Sequence, residues 1–387
     1  MFNRVIAVLL FLLLANITNA DAKVRGESKV INLPSKILAE QRELLIHLPN
    51  NYQLNTELDY PVLYLLDGQR NFNHVIGSLD LHNQDNDAQE MIIVAIKNTH
   101  RTRDFTPTYH ESYNEWGISG GADNFLNFLE QELIPYINKN YRTNKFKVLS
   151  GHSLSGLFAV YAMQARPELF QAHFAFSPSL WWHDKVIFKE AEQFFANRAT
   201  LNTYLYINMG NEGGMMLSAY QQYLALLKKY SPKGFRYTES LVEQESHNTT
   251  ALAGHPKAFY ALQATLNCPK EVIEQGLEAI EHFYTQQSQL YGYQITPSYR
   301  AVNHAGYIAL ENKAINKAIK LFTYNIKNYP HKADGYDSLA DGLAANGQLN
   351  EALNMMNIAI EKSLIENVEN NSFKHHRDNL LNRLKER

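Results

Sequence analysis

Cysteine is almost missing from this 387-residue chain. Cys268 is the only one, so no internal disulfide can form and the fold must rest on its core. A cysteine nucleophile would want an activating histidine nearby, whereas Leu266-Asn267-Cys268-Pro269 reads as a helix end, so Cys268 is taken as a small buried residue. An excess of either charge is also missing. With Lys+Arg 36 against Asp+Glu 39, the formal net charge is −3, which gives no electrostatic reason to expect nucleic acid or an anionic membrane surface. The chain has no phosphate-cradling glycine loop and no His-Glu-x-x-His pair, so neither a cofactor nor a metal is expected.

What is present is an ordinary soluble composition. Hydrophobic residues make up 45% and charged residues 19%, and 23 Tyr with 19 Phe promise a well-filled core. The length exceeds the roughly 250–300 residues at which single cores stop growing, so two domains are expected. At the N-terminus, Arg4 precedes the apolar run Val5 to Leu14, and Thr18-Asn19-Ala20 offers small residues for cleavage. This pattern predicts a signal peptide over 1–20 and a periplasmic or secreted mature chain. Asn16 and Asn19 break the run short of the about 20 apolar residues that a bilayer span needs, so no span is expected after cleavage.

Residues 24–48 carry two alternating runs closed by Pro49-Asn50-Asn51, which reads as a pair of antiparallel edge strands. Pro61 to Leu66 and Met91 to Ile96 are continuous apolar runs, as expected of strands buried on both faces of a mainly parallel sheet. Asp80 to Gln89 reads as loop, Asn98 to Gly121 as a long functional loop, and Asp123 to Asn140 as a helix. Strand patterns at 172–176, 203–209 and 235–242 then alternate with helical ones. The sum is a doubly wound α/β sheet, which binds ligands beyond the carboxyl ends of its strands.

The chain is organised around Phe146 to Phe158, where a strand runs into Gly151-His152-Ser153-Leu154-Ser155-Gly156 and out into a helix. Such a nucleophile elbow exposes the serine hydroxyl above the sheet and aims helix N–H groups at developing negative charge. Ser155 stands where the pattern usually has glycine. A serine nucleophile needs a base and an acid, in chain order Ser, acid, His. Asp184, the only aspartate between Ser153 and His247, lies well before the penultimate strand, whereas Glu212 follows a strand end in a glycine-rich turn. His173 falls mid-strand, His183 follows the two tryptophans, and His255 reads as a helix start before Pro256. His247, in a loop after the last strand, is therefore the expected base and Glu212 the expected acid.

Five stretches carry a resemblance: Tyr60 to Gln69, Thr102 to Pro107, Gly151 to Gly156, Ser177 to Trp182 and Glu245 to His247. Together they resemble the esterase family of α/β hydrolases, which includes siderophore esterases and S-formylglutathione hydrolases, and the siderophore-esterase branch in particular. The resemblance implies an α/β-hydrolase domain over 24–268 and an oxyanion hole from the backbone N–H groups of Leu154 and Gln69. Trp181 and Trp182, just after a strand, and Arg103 are candidate substrate contacts, with core packing the competing role for at least one tryptophan. The activity implied is hydrolysis of a small-molecule carboxylic ester through a Ser153-His247-Glu212 triad and an acyl-enzyme. Two other readings stay open: transfer of the acyl group to an alcohol or sugar, and an inactive hydrolase fold that serves as a binding module.

Residues 269–387 read as all helix and carry a self-similar unit of about 34 residues that resembles tetratricopeptide repeats over about 299–366. Tyr336, Leu339, Ala340, Gly347, Ala352, Met356 and Ala359 hold the packing positions of one unit, and Gly306, Ala318, Phe322 and Pro330 those of the other. The repeats imply either a protein or peptide docking surface or a structural support. Flanking helices are expected at 271–291 and 371–387, with Lys374 to Arg377 as a solvated face.

Overall fold

A computed structural model describes residues 26–386, apart from 51, 54–55, 87–89, 231 and 367–369. The expected leader, residues 1–20, lies outside the described residues. Eight strands form one sheet: β1 (Glu27–Ser35), β2 (Glu40–Leu48), β3 (Tyr60–Leu65), β4 (Ile92–Ile96), β5 (Thr143–His152), β6 (Ala172–Phe176), β7 (Tyr204–Gly210) and β8 (Arg236–Val242). Their spatial order is β1-β2-β4-β3-β5-β6-β7-β8. The pairs β1/β2 and β2/β4 are antiparallel and all others parallel. This is the mixed sheet of an α/β-hydrolase-type fold.

The connecting helices are α1 (Gly68–Asn86), α2 (Arg101–Phe105), α3 (Ala122–Phe128), α4 (Ile134–Asn140), α5 (Leu154–Ala165), α6 (Trp182–Ala196), α7 (Gly214–Lys229) and α8 (Thr250–Ala264). Side chains alternate across a strand, so Val62 and Tyr64 of β3 face one layer while Leu63 and Leu65 face the other. All four are fully buried, which is why β3 is written without a polar position. The first layer is built from α3 to α7, with Phe125, Phe128, Leu157 and Tyr223 in its core. The second holds α1 and α8, through Val75, Leu79, Phe259 and Leu262.

Three local expectations are corrected and a fourth, the helix over 123–140, is refined. Residues 80–86 are helical rather than looped, because α1 lays Val75, Ile76 and Leu79 on the sheet and continues through the polar stretch. The segment 98–121 contains α2 and a 3-10 turn, Glu111–Trp116. Through 122–140 the helix carries a π-helical turn, Leu129–Leu133, between α3 and α4. His255 lies inside α8 rather than at its start, and Pro256 is accommodated because the carbonyl it leaves without a donor belongs to exposed Leu252.

Beyond α8 the chain is helical: α9 (Lys270–Ile273), α10 (Leu277–Tyr291), α11 (Tyr299–Glu311), α12 (Ile315–Asn328), α13 (Ala333–Ala345), α14 (Leu349–Glu366) and α15 (Asn371–Lys385). The pair α11/α12 begins at Tyr299 and the pair α13/α14 at Ala333. A Cβ on Gly306 would come within 2.3 Å of the Phe322 ring, so glycine is what lets α11 and α12 close on each other. Ile280, Tyr284, Tyr291, Val302 and Phe322 join the same apolar cluster as the second sheet layer. His376 is not simply solvated: its Nδ1 meets Asp337 Oδ1 of α13 at 2.7 Å, which raises its pKa.

Candidate active site

The elbow forms where β5 ends and α5 begins. Ser153 sits at φ 61°, ψ −117°, a left-handed conformation that non-glycine residues rarely adopt, and Leu154 is the first helical residue. Gly151 is required there. A Cβ at that position would meet the Ser155 carbonyl oxygen at 2.1 Å, a clash with backbone that cannot move aside. The turn is tied to β6 by Ser153 N–H donating to the Phe176 carbonyl at 3.0 Å, and to the next loop by Ser179 N–H donating to the Ser153 carbonyl at 3.0 Å.

The structure brings Ser153, His247 and Glu212 together in a relay. Ser153 Oγ lies 2.9 Å from His247 Nε2, and His247 Nδ1 lies 2.6 Å from Glu212 Oε2. The Glu212 side chain is only 6% exposed. Burial pushes its carboxyl pKa up, but hydrogen bonds from His247 and from the Ser177 hydroxyl outweigh that and hold it below the usual carboxylate range. An ionised Glu212 makes Nδ1–H the donor, which leaves Nε2 free to accept the serine proton.

The neighbouring loops fix these parts. Asn211 N–H donates to the Glu245 carbonyl at 2.7 Å, joining the acid loop to the histidine loop. A Cβ on Gly210 would meet that same carbonyl oxygen at 2.6 Å, so the close approach needs glycine. His152 Nε2 lies 2.6 Å from the His247 carbonyl oxygen. Burial, then the neighbouring His247, lower the His152 pKa to about 4, so at neutral pH it is an uncharged imidazole whose Nε2–H donates.

Leu154 and Gln69 stand at the first turns of α5 and α1, where backbone N–H groups lack intrahelical acceptors. The Gln69 side chain turns back, its Oε1 accepting from Asn98 N–H at 3.2 Å. The two tryptophans separate. Trp182 is fully buried, with Nε1 donating to the Thr108 carbonyl at 3.4 Å, so it is core. Trp181 is half-buried and belongs to an aromatic wall with Tyr113 and Trp116, whose rings stack at 5.5 Å. Arg103, a candidate substrate contact, has its guanidinium committed to Glu40 at 2.8 Å and to Asp104 at 2.8 Å.

Sequence reasoning missed Ser177, Arg101 and Asp67. Arg101 donates to both oxygens of Asp67, at 2.7 and 3.0 Å, and to the His152 carbonyl at 3.0 Å. The available signal was that Asp67 and Ser177 lie within stretches that carry the resemblance, just after β3 and β6, and that Arg101 adjoins the Thr102 to Pro107 stretch.

A serine, an imidazole and a buried carboxylate in this order, at the carboxyl ends of a mainly parallel sheet, are the working parts of a serine hydrolase of the α/β class. The family model described as "Putative esterase" matches residues 35–267, and the chain belongs to this family. The IroE-like serine hydrolase of Shewanella oneidensis is similar in structure, with a TM-score of 0.69 and 27% identity over 77% of this chain and 99% of that one. The ferri-bacillibactin esterase BesA of Bacillus subtilis is 33% identical over 153 residues, 35% of this chain and 53% of that protein. A siderophore enterobactin esterase of Emericella nidulans is 37% identical over 87 residues, 22% of this chain and 29% of the relative. The chain thus spans about half, or less, of these two curated relatives.

Proposed function

We propose that the protein is a carboxylic ester hydrolase that works through an acyl-enzyme. Ser153 Oγ attacks the ester carbonyl while His247 Nε2 takes its proton, and the Leu154 and Gln69 N–H groups stabilise the oxyanion. His247 returns the proton to the leaving alcohol, and water, deprotonated by His247 in turn, releases the acid and frees Ser153. Glu212 holds the imidazole tautomer and stabilises the imidazolium. The observation that carries this reading is the continuous relay from Ser153 through His247 to Glu212. We assign siderophore-type esters as the substrate class, supported by the activities named for the bacterial and fungal relatives.

The test is turnover of short-chain p-nitrophenyl esters and of ester siderophores, together with intact-mass detection of a fluorophosphonate adduct. The expected result is one adduct on Ser153 and loss of turnover in Ser153→Ala. Wild-type turnover by that variant would sink the assignment.

We further propose that the mature chain is exported, a reading supported by Arg4, the Val5 to Leu14 run and Thr18-Asn19-Ala20. An N-terminal mass beginning at Asp21 in the extracytoplasmic fraction is expected, and an intact Met1 there would refute cleavage. The tetratricopeptide-like pairs are assigned a supporting role. Their apolar residues, Val302 and Phe322 among them, share one cluster with the sheet.

A further inference from the structure

Ser155 stands where elbows of this shape usually carry glycine, and it is fully buried. Its Oγ accepts from His152 N–H at 2.7 Å and donates to Asp67 Oδ2 at 2.6 Å. The His152 carbonyl is also 2.9 Å away, but the hydroxyl has one proton, and the nearer, charged carboxylate is the stronger acceptor. That carboxylate accepts two hydrogen bonds from Arg101 and one from Asn98 Nδ2 at 2.5 Å. Arg101 then donates to the His152 carbonyl at 3.0 Å.

The bonds close on themselves. They run from His152 N–H to the Ser155 hydroxyl, to the Asp67 carboxylate, to the Arg101 guanidinium and back to His152 C=O. Both polar backbone atoms of the residue before Ser153 are inside this ring. Asp67 in turn immediately precedes Gly68 and Gln69, on the strand end beside the elbow. Burial pushes the Asp67 carboxyl up, but Arg101, Ser155 and Asn98 together outweigh it and keep it ionised. The ring therefore joins, through charge-assisted bonds that are buried at Asp67 and Ser155 and part-exposed at Arg101, the two segments whose N–H groups must converge on one oxygen. A donor even about 1 Å out of place can forfeit about a hundredfold in rate.

We propose that Ser155, Asp67 and Arg101 form a positioning clamp that sets the Leu154 N–H against the Gln69 N–H, and that Ser155 replaces glycine in the elbow because its hydroxyl closes this clamp. The inference rests on the ester-hydrolase reading. Glycine at 155 would keep the turn and open the ring. Ser155→Gly should lower kcat by about 10- to 100-fold with KM within about twofold, since an oxyanion contact is made in the transition state and not in the ground state.

The distinguishing measurement is inhibition by a trifluoromethyl ketone, whose adduct with Ser153 places an oxyanion in the hole. Its affinity should fall in Ser155→Gly by the same factor as kcat/KM, with the thermal midpoint held. Should Ser155→Gly not fold, Arg101→Lys carries the same test, because it keeps the charge and loses the two-pronged contact. Equal kcat and equal ketone affinity in a folded variant overturn the clamp, as does a loss confined to KM or to the thermal midpoint. A wild-type protein that neither cleaves p-nitrophenyl esters nor binds the ketone overturns the hydrolase reading and the clamp together, whereas an active wild type confines any failure to the clamp.

Discussion

Replacing Glu212 by glutamine changes one atom and should stall the proposed reaction, for a reason that lies in Ser177. The Ser177 hydroxyl accepts from Gly210 N–H at 3.3 Å and donates to Glu212 Oε1. With a glutamine at 212, that donation selects the amide oxygen and turns the amide nitrogen towards His247 Nδ1, which a carboxylate oxygen now meets at 2.6 Å. Nδ1 must then accept, the imidazole proton moves to Nε2, and the atom facing Ser153 can no longer take a proton. A wrong tautomer of this kind costs about 10^3- to 10^4-fold in kcat, about 4–5.5 kcal/mol of transition-state stabilisation. The assay is steady-state hydrolysis of p-nitrophenyl esters by Glu212→Gln, with circular dichroism to establish folding. Because Ser177 does the selecting, Ser177→Ala placed on the glutamine background frees the amide to rotate and should recover part of the loss, about 3- to 10-fold, although Ser177→Ala alone lowers activity. A folded Glu212→Gln within tenfold of wild type would refute the role of Glu212. A double variant less active than Glu212→Gln would refute the orientation argument.

Three buried histidines should make stability sensitive to mild acid. Burial lowers His152 to about 4 and His173 and His255 to about 3, below the roughly 6.5 of an unfolded histidine, so their contribution is complete above about pH 6.5 and is lost as pH falls towards 4 and 3. Urea midpoints should decline between pH 6.5 and 4, and a flat profile there would refute it. Arg42 and Asp104 are each 1% exposed and paired with each other, and Arg42 also meets Glu40, so Asp104→Ala leaves the buried guanidinium one carboxylate instead of two and should cost about 1–3 kcal/mol in chemical unfolding. An unchanged midpoint would show that Glu40 alone satisfies Arg42. Removing residues 269–387 uncovers Phe146, which packs on Tyr291 and Tyr293 with ring centroids 5.3 Å away in each case, at about 1.5–3 kcal/mol per buried aromatic. The truncated chain should aggregate or unfold earlier, and an unchanged urea midpoint would refute the supporting role.

Continuous apolar runs made β3 and β4 readable, and glycine spacing made the elbow readable, because each pattern has a single cheap backbone solution. The order of Ser153, Glu212 and His247 was legible by exclusion. Helix α1 was not, since its apolar core residues, Val75, Ile76 and Leu79 with half-buried Phe72, all come before Asp80, and the stretch after them is polar apart from exposed Leu81. His255 was misplaced because a proline usually opens a helix, and nothing in the sequence says that Leu252 is exposed. The ring through Ser155 was illegible for a different reason: its members come from three separate segments, and only the sheet order, with β3 beside β5, brings them together.

That same adjacency accounts for the strain at the site. Asp67, Ser153 and Ser177 follow the neighbouring strands β3, β5 and β6, and all three are non-glycine residues at positive φ, 52°, 61° and 39°. Glycine would relax each turn, sparing about 1–2 kcal/mol per residue. Glycine, however, carries no side chain, and each of these side chains has a partner in the site: Asp67 holds Ser155 and Arg101, Ser153 meets His247, and Ser177 meets Glu212. Nearby Gly151 and Gly210 show the converse, since there a Cβ would strike backbone and no side chain is used. Along this row of strand ends, then, glycine stands where only close approach is needed. A strained polar residue stands where a proton or a charge must be held.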